Sequence, residues 1–404
     1  MLRILAGEGE TEAGLRSRFD GSAPVSEWLQ QLAAQGWLCY TAVADGRRLA
    51  TYVPASADSS FNPAPELGCR PHVLSRFLVW RREGSDMVLE SPLAASKVLL
   101  HDAAAIVVAG SFVKPVRAAE PVSPETQMVL TILANSGAIV PCDDAGREQE
   151  PAGSDQWEFH DLFFHTRSRA GRHANHYGRR FSPPLRFEPQ EDPPDGIALY
   201  APDRDALQAA DPPFARVVES RRSIRPAARN APVSVRQLGE FLYRAAAVRA
   251  GGHRPYPAAG GCYELELYLG VRECAGLDCG LHHYNARTHR LRRLSGLTPE
   301  VTSLLEEARL AAGSSAPPQI LIVYAARMDR LTTRYQSIAY ALALKDAGAL
   351  QQTMCLTATA MGLAGCALGG GNSDVFTKAS GQNYYRETSI GEFLLGGLPV
   401  TDGL

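Results

Sequence analysis

The sequence has no long apolar run, no large excess of charge of one sign and no cysteine pattern typical of a metal site. No stretch approaches the length of a membrane span, and the opening segment MLRILAGEGETEAG becomes acidic too early for a signal peptide. The 41 basic and 43 acidic residues give a formal net charge of -2, so the whole chain has no electrostatic reason to bind nucleic acid or anionic lipid. We therefore expect a cytoplasmic protein that binds neither nucleic acid nor membranes.

The eight cysteines are scattered along the chain and form no CxxC pair. His160 and His165 resemble a metal or acid–base pair, but no cysteine or carboxylate pattern around them completes a zinc site. We expect reduced, mostly buried thiols and no bound metal.

A chain of 404 residues is too long for one ordinary hydrophobic core and should form two or three domains. The pattern predicts a winged-helix-like module over residues 1–120, in which a helix from Pro24 to about Gln35 precedes a hairpin that turns at Asp45-Gly46. Winged helices usually bind DNA, but the candidate recognition helix EWLQQLAAQG carries no basic residue. We favour a peptide-binding or packing role, because phosphate contacts require lysine and arginine.

Three further segments complete the predicted organisation. A second winged-helix-like module is expected over residues 121–182, where Ser123 and Pro124 begin a helix as N-cap and first-turn residues. The proline-rich acidic segment 183–213 predicts a linker. Residues 214–404 show the alternation of an α/β domain, with strands predicted at 265–271 and 319–324 and a long alanine-rich helix at 338–361.

Three arginines and a serine lie together just past the midpoint of the chain, as Arg221, Arg222, Ser223 and Arg225. Guanidinium groups and a hydroxyl in one tight span suit a small dianion such as a phosphate monoester. Taken alone, the segment is more typical of a solvated basic patch at a helix end. The downstream sequence favours the phosphate site, and a bound phosphate implies a cofactor.

The order of several downstream segments is characteristic of one family. ESRRSIR (219–225) is followed by LGEFLYR (238–244), RPYPAAGGCYELELYL (254–269), RYQSIAYALALKDAGALQQTM (334–354), MGLAGCALGGGNSDVF (361–376) and SIGEFLLG (389–396). With segments 76–102 and 156–173, most of the chain resembles the SagB-type azoline dehydrogenases of the FMN-dependent nitroreductase superfamily.

The resemblance implies a fold class and an assembly. The fold is expected to be α+β, with a carboxy-terminal nitroreductase-like domain that has a mixed sheet with flanking helices, preceded by the winged-helix-like α/β modules. The family forms an interwoven homodimer in which FMN lies between the subunits. We therefore expect FMN as cofactor and a homodimer in which the helix at 338–361 lies at the interface.

The resemblance also implies which residues bind FMN. Arg221, Ser223 and Arg225 correspond to positions that hold the phosphate and reach the pyrimidine side of the ring, and Arg222 accompanies them. Two loops of small residues would let the backbone approach the ring, although the first is as typical of an ordinary turn. Gln351 is a candidate partner of flavin or substrate, and a core-facing amide is as consistent with the pattern. The loop residues are Pro257, Ala258, Ala259, Gly260 and Gly261 in the first loop, and Leu368, Gly369 and Gly370 in the second.

Tyr335 is the leading catalytic candidate. The family carries a Lys-Tyr pair before the long helix, and this chain has Arg334-Tyr335. Arginine stays protonated and cannot accept a proton as a desolvated lysine can. Arg334 is therefore expected to tune Tyr335 or to hold a substrate carbonyl, and the alternative is that both residues are structural.

The function that the resemblance implies is oxidation of thiazoline or oxazoline rings in a peptide to thiazole or oxazole, with the flavin reoxidised by dioxygen. The expected partners are an azoline-containing peptide and a cyclodehydratase that forms the ring. Two alternatives stay open: a generic NAD(P)H-dependent nitro- or quinone reductase, and a noncatalytic peptide-docking subunit of a modifying complex.

Overall fold

The structure, a computed structural model of the chain, divides into two compact units, Met1–Tyr177 and Gly178–Leu404. It describes every residue except 8, 20–22, 57–58, 66, 68–69, 118–121, 174–176, 181–195, 226–230 and 399–404. None of the described helices combines the length and apolar composition that crossing a membrane requires.

The first unit is built on small sheets with helices beside them. Its helices are α1 (Leu2–Ala6), α2 (Glu12–Arg18), α3 (Val25–Ala34), α4 (Ala103–Ser111), α5 (Pro124–Asn135) and α6 (Phe159–Arg167). Its strands are β1 (Tyr40–Ala44), β2 (Arg47–Pro54), β3 (Pro71–Leu74), β4 (Val79–Glu83), β5 (Asp86–Glu90), β6 (Ser96–Leu100), β7 (Val116–Arg117) and β8 (Ile139–Pro141).

The first unit contains the helix, the hairpin and the helix N-cap that the sequence predicts. Helix α3 precedes the hairpin β1–β2, which turns at Asp45 with φ 50° and Gly46 with φ 73°. The Ser123 side chain accepts a hydrogen bond from the Thr126 N–H at the start of α5. The hairpin continues into a five-stranded sheet of order β1-β2-β6-β5-β4. Residues of α5 pack into the same core as β1, β2, β5, β6 and α4, so the two predicted modules share one hydrophobic core.

The second unit is dominated by one large sheet and a long helix. Its strands are β9 (Gly178–Arg179), β10 (Ile197–Ala198), β11 (Leu265–Val271), β12 (Gly280–Asn285), β13 (Arg290–Ser295), β14 (Ile320–Arg327), β15 (Tyr335–Gln336), β16 (Leu363–Leu368) and β17 (Glu387–Gly397). Its helices are α7 (Arg204–Ala210), α8 (Phe214–Ser220), α9 (Val235–Ala246), α10 (Pro299–Ala312), α11 (Met328–Thr332), α12 (Ala339–Ala360) and α13 (Ser373–Ser380).

The large sheet has the order β10-β13-β12-β11-β14-β17-β16. Strands β11 and β14 and helix α12 confirm the elements predicted near 265, 319 and 338. The expectation of a mixed sheet is wrong for the described chain, because each neighbouring pair is antiparallel. Short connections between β11, β12 and β13 impose this direction, since hairpin-linked strands must run antiparallel.

The segment predicted as a linker, 183–213, is only partly described. Residues 183–195 lie outside the described residues. From Ile197 onward the segment belongs to the second unit, because β10 pairs with β13 and α7 follows. The Arg290 guanidinium also donates to the Gly196 carbonyl oxygen. The two units divide between Tyr177 and Gly178, before this segment, and long-range pairing recruits the end of the segment into the sheet of the second unit.

The seven described cysteines are free thiols. Cys142, Cys274 and Cys366 are buried, whereas Cys39 and Cys279 are exposed, so the expectation of mostly buried thiols holds for fewer than half of them. Cys69 lies outside the described residues.

Candidate functional site

The arginine segment lies at the end of α8 and is joined to the large sheet. The Ile224 N–H donates to the Gly365 carbonyl of β16 at 2.9 Å. The Arg221 side chain lies beside Cys355 of α12, whose pKa is raised by burial and lowered in part by this guanidinium. Arg222, Ser223 and Arg225 are exposed. Among the described residues, the three guanidinium groups have no carboxylate partner, so their charge is available to an anion.

Helix α12 presents one face to a cavity of about 360 Å³. The spacing of Leu344, Gly348, Gln351 and Cys355 places these residues on one side of the helix. Cys355 lies one turn beyond Gln351, about 6 Å along the axis. The arginine segment therefore approaches the same face of α12 that lines the cavity.

Two strands form the rest of the cavity wall. The cavity residues are Leu344, Ala347, Gly348 and Gln351 on α12, Leu368 at the end of β16, Gly369, Gly370 and Gly371 after it, Ser373, and Ser389, Ile390, Gly391 and Glu392 on β17. Four predicted cofactor residues, Gln351, Leu368, Gly369 and Gly370, are among them. The structure therefore brings the second glycine loop and the predicted glutamine to one concave surface.

The glycines of this surface differ in how much space a side chain would have at each position. A Cβ added at Gly369 or Gly370 would meet no atom within 4 Å, so these two backbones border open space. A Cβ at Gly391 would lie 3.0 Å from Tyr324 and 3.6 Å from the Gln351 amide nitrogen. Gly371 is required for another reason, because the Glu392 carboxylate occupies the space that its side chain would need.

Ser389, Gly391 and Glu392 were missed as site residues. The segment SIGEFLLG contributes to the family resemblance, but an apolar strand with one glutamate gives no indication of a cavity. The available signal was Glu392 itself, because an unpaired charge is rarely buried. It marks the position as unusual without showing that the side chain faces a cavity.

The first loop and the catalytic candidates form a separate group. Gly260 and Gly261 have φ of 56° and 66°, which favours glycine at both positions. The Arg334 guanidinium donates to the Gly260 carbonyl oxygen at 2.7 Å. A Cβ at Gly260 would lie 2.5 Å from the Tyr335 hydroxyl and 3.6 Å from Arg334 Nη1. The structure thus brings Arg334, Tyr335 and Gly260 together.

This second group is attached to another face of α12. The Ala259 N–H donates to Asp346 Oδ2 at 2.8 Å. Asp346 and Gln351 are five residues apart, which separates their directions by about 140° around the helix axis. The described chain therefore gathers the predicted site into two groups, the arginine–cavity group and the Gly260–Tyr335 group, rather than one.

A buried carboxyl pair supports the Gly260–Tyr335 group. Glu264 is fully buried, and burial together with the neighbouring Asp346 raises its pKa to about 7. Burial also raises the pKa of Asp346, whose carboxylate accepts from the Ala259 N–H. Because two adjacent carboxylates repel each other, the protonated form of Glu264 is favoured near neutral pH. The Ala259–Asp346 bond joins the first loop to α12.

The arginine–cavity group fits a flat ring that carries a phosphate. The volume of about 360 Å³ falls in the range of small-molecule sites. Open backbone at Gly369 and Gly370 permits close approach. The Arg221 guanidinium, which has no carboxylate partner among the described residues, lies beside Cys355, one helical turn beyond Gln351. FMN, with one ring system and one phosphate monoester, matches this donor set.

The histidines of α6 do not form a comparable site. His160 Nε2 lies 3.4 Å from Asp161 Oδ1 on the surface, and the His165 ring packs near Trp157. Over the part of the chain that the structure describes, no group of three or more His, Cys, Asp or Glu side chains could hold a metal ion.

Comparisons with known proteins match both units. Residues 72–174 match the family described as cyanobactin oxidase ThcOx, and residues 218–388 match the nitroreductase family. A protein of Methanocaldococcus jannaschii that carries the name nitroreductase is 29% identical over 176 residues, 43% of this chain and 85% of that protein. The trifolitoxin-processing protein TfxB of Rhizobium leguminosarum bv. trifolii is 27% identical over 140 residues, 34% of this chain and 35% of that protein.

Solved structures with related backbones include two of note. A nitroreductase crystal structure from Ralstonia eutropha aligns with a TM-score of 0.42 at 20% identity, covering 55% of this chain and 99% of that one. A chain of the Escherichia coli microcin synthetase McbBCD complex aligns with a TM-score of 0.39 at 17% identity, covering 52% of this chain and 78% of that one.

Proposed function

We propose that this chain, an FMN-dependent oxidoreductase of the SagB-type branch of the nitroreductase superfamily, oxidises thiazoline or oxazoline rings in a peptide to thiazole or oxazole. The main support is that one chain contains both a ThcOx-type region and a cavity suited to FMN. The name of TfxB, a trifolitoxin-processing protein, also favours a role in peptide maturation. A generic reductase acting on small quinones would not require the first unit.

The arginine–cavity group would hold the cofactor. Arg221, Ser223 and Arg225 bind the phosphate through charge-assisted hydrogen bonds. Gln351 and the Leu368–Gly370 backbone border the ring system. Arg222 adds positive charge to the same segment. When bound, FMN would supply the acceptor for the two electrons of the oxidation, with dioxygen as the final oxidant.

The reaction removes two hydrogens from the azoline ring. The ring carbon derived from Cα loses a proton, the adjacent ring carbon loses hydrogen with its electron pair, and the product is aromatic. Tyr335 is the residue to which we assign the proton transfer. Arg334 fixes the Gly260 carbonyl and keeps its charge beside the Tyr335 hydroxyl, so we assign it a positioning role.

The two separate groups support a homodimeric site. Each group faces a different side of α12, so a site that uses both requires a second copy of the chain. Exposed apolar side chains are available for such contact: Phe214 and Val218, one turn apart on α8, are 73% and 46% exposed. Helix α8 packs against α12. We propose that this surface belongs to the dimer interface, with FMN bound between subunits.

Phe214→Glu should convert the dimer into a monomer, because it places a charge in a buried apolar contact. Sedimentation velocity on the full-length protein measures the change. Leu310→Glu is the matched control, since Leu310 on α10 is also apolar and 62% exposed, and it should stay dimeric. A monomeric wild type saturated with FMN would contradict the dimeric site.

The proposed function is tested by incubating the purified, FMN-loaded protein with a peptide whose azolines have been formed by a cyclodehydratase. Mass spectrometry should show loss of two hydrogen atoms per ring without added NAD(P)H. Quinone reduction driven by NAD(P)H, with the azolines unchanged, would establish the generic reductase instead. A colourless protein that FMN cannot reconstitute would point to the peptide-docking subunit.

A further inference from the structure

Glu392 is a buried carboxyl that faces the cavity. It lies on β17, is 7% exposed and forms part of the cavity wall. Its carboxylate fills the space beside Gly371 that any larger residue would occupy. Among the described residues, none supplies the Glu392 carboxylate with a hydrogen-bond or ion-pair partner. A carboxyl in this position is directed towards whatever molecule fills the cavity.

No cation among the described residues offsets the charge of the Glu392 carboxylate. The titratable and charged groups on the elements packed around β17 are Tyr324 and Arg327 on β14, Cys366 on β16, Tyr340, Lys345, Asp346 and Cys355 on α12, and Asp374 and Lys378 on α13, with Arg221 beside Cys355. Of these, Tyr324 interacts with Glu392, and its buried phenol donates to Met354 Sδ at 3.2 Å. Burial alone raises the pKa of Glu392 to about 7.

We propose that Glu392 is a ring-binding residue of the FMN cavity and that it acts as a hydrogen-bond donor in its protonated form. The inference rests on the proposed placement of FMN. A protonated carboxyl donates to carbonyl oxygens and ring nitrogens, which the flavin ring system offers. An ionised carboxylate can only accept, and it would stay buried as an unpaired charge beside the ligand. FMN therefore binds the protonated enzyme in preference to the ionised one.

The affinity for FMN should therefore depend on pH, and replacing Glu392 with a neutral residue should remove the part of this dependence that Glu392 causes. If FMN binds the protonated form alone, ionisation near pH 7 raises the wild-type Kd about tenfold between roughly pH 6 and pH 8. The FMN phosphate also titrates near pH 6. For this reason the quantity to follow is the ratio of the wild-type Kd to the Glu392→Gln Kd, in which the phosphate contribution cancels.

Fluorescence quenching of FMN measures each Kd on the full-length apoprotein. The ratio should increase about tenfold over this pH range, and Glu392→Leu, a second neutral variant, should give the same increase. Glu387→Gln is the matched control: Glu387 lies on the same strand, is 8% exposed and has a pKa raised by burial, but it accepts from the Tyr268 hydroxyl at 2.6 Å away from the cavity. The ratio of the wild-type Kd to the Glu387→Gln Kd should not change with pH.

A ratio for both neutral variants that stays constant across this range would overturn the role of Glu392. Wild-type protein that binds no FMN at any pH would overturn the cavity assignment itself, and the role of Glu392 with it. The two failures are distinguishable, because the first leaves a yellow, FMN-binding protein.

Discussion

Replacing Arg221 and Arg225 together with alanine should strip FMN from the protein. Each guanidinium forms charge-assisted hydrogen bonds to a phosphate that contribute about 1.5 to 3 kcal/mol. Losing both should therefore weaken FMN binding by a factor of roughly 10² to 10⁴. The measurement is the flavin content of the purified variant, from its visible spectrum, together with the FMN Kd of the apoprotein. Wild-type protein should contain about one FMN per subunit.

Arg216→Ala provides the matched control for this experiment. Arg216 is an exposed arginine on α8, outside the proposed phosphate segment. It should retain FMN, which separates phosphate binding from a general loss of positive charge. Because Arg221 also packs beside Cys355, the melting temperatures of the apoproteins must be compared as well. Normal flavin content in the folded double variant would place the phosphate elsewhere.

The elements of the second unit were predictable where local pattern and tertiary role agree. Strands β11 and β14 are runs of apolar and β-branched residues that are buried almost throughout. Helix α12 is rich in alanine and leucine, which favour a helix whatever the tertiary surroundings. The end of the proline-rich segment was not predictable, because β10 exists only through its pairing with β13. Pairing between residues about ninety positions apart cannot be recognised from the local sequence of either strand.

The site was predictable to the extent that its residues form motifs. Arg221, Gln351 and the Leu368–Gly370 loop stand out by charge, by position on a helix and by glycine content, and the structure places them around one face of α12. The bond between Ala259 and Asp346 could not be foreseen. It joins segments 87 residues apart, and it is the contact that assigns the first loop to another face of the helix.

Glu392 illustrates a different limit of sequence reasoning. Its strand alternates little between polar and apolar residues, and the large sheet buries most of it. Nothing in SIGEFLLG distinguishes a glutamate that faces a cavity from one that a core arginine neutralises. The decisive facts are the Gly371 contact and the lack of a cationic partner among the described residues, and both depend on the fold.

Tyr335→Phe should abolish azoline oxidation while flavin content and dimerisation stay unchanged. The substitution removes a single hydroxyl, which lies against Gly260 beside the Arg334 guanidinium. Losing a positioned proton-transfer group typically lowers the rate by about 10² to 10⁴. Because the phenol is half-buried at the surface of the loop, the loss of packing is small and the fold should persist. Single-turnover oxidation of an azoline peptide, followed by mass spectrometry, measures the effect.

Two further variants show whether the loss belongs to proton transfer at this position. Tyr385→Phe is the matched control, since Tyr385 is 86% exposed in the same unit and should oxidise azolines at the wild-type rate. Arg334→Lys should retain activity with a shifted pH–rate profile, because it keeps the positive charge but changes its geometry and its bond to the Gly260 carbonyl. A Tyr335→Phe variant that turns over at the wild-type rate would refute the assignment. The proton-accepting group would then have to be sought elsewhere around the flavin.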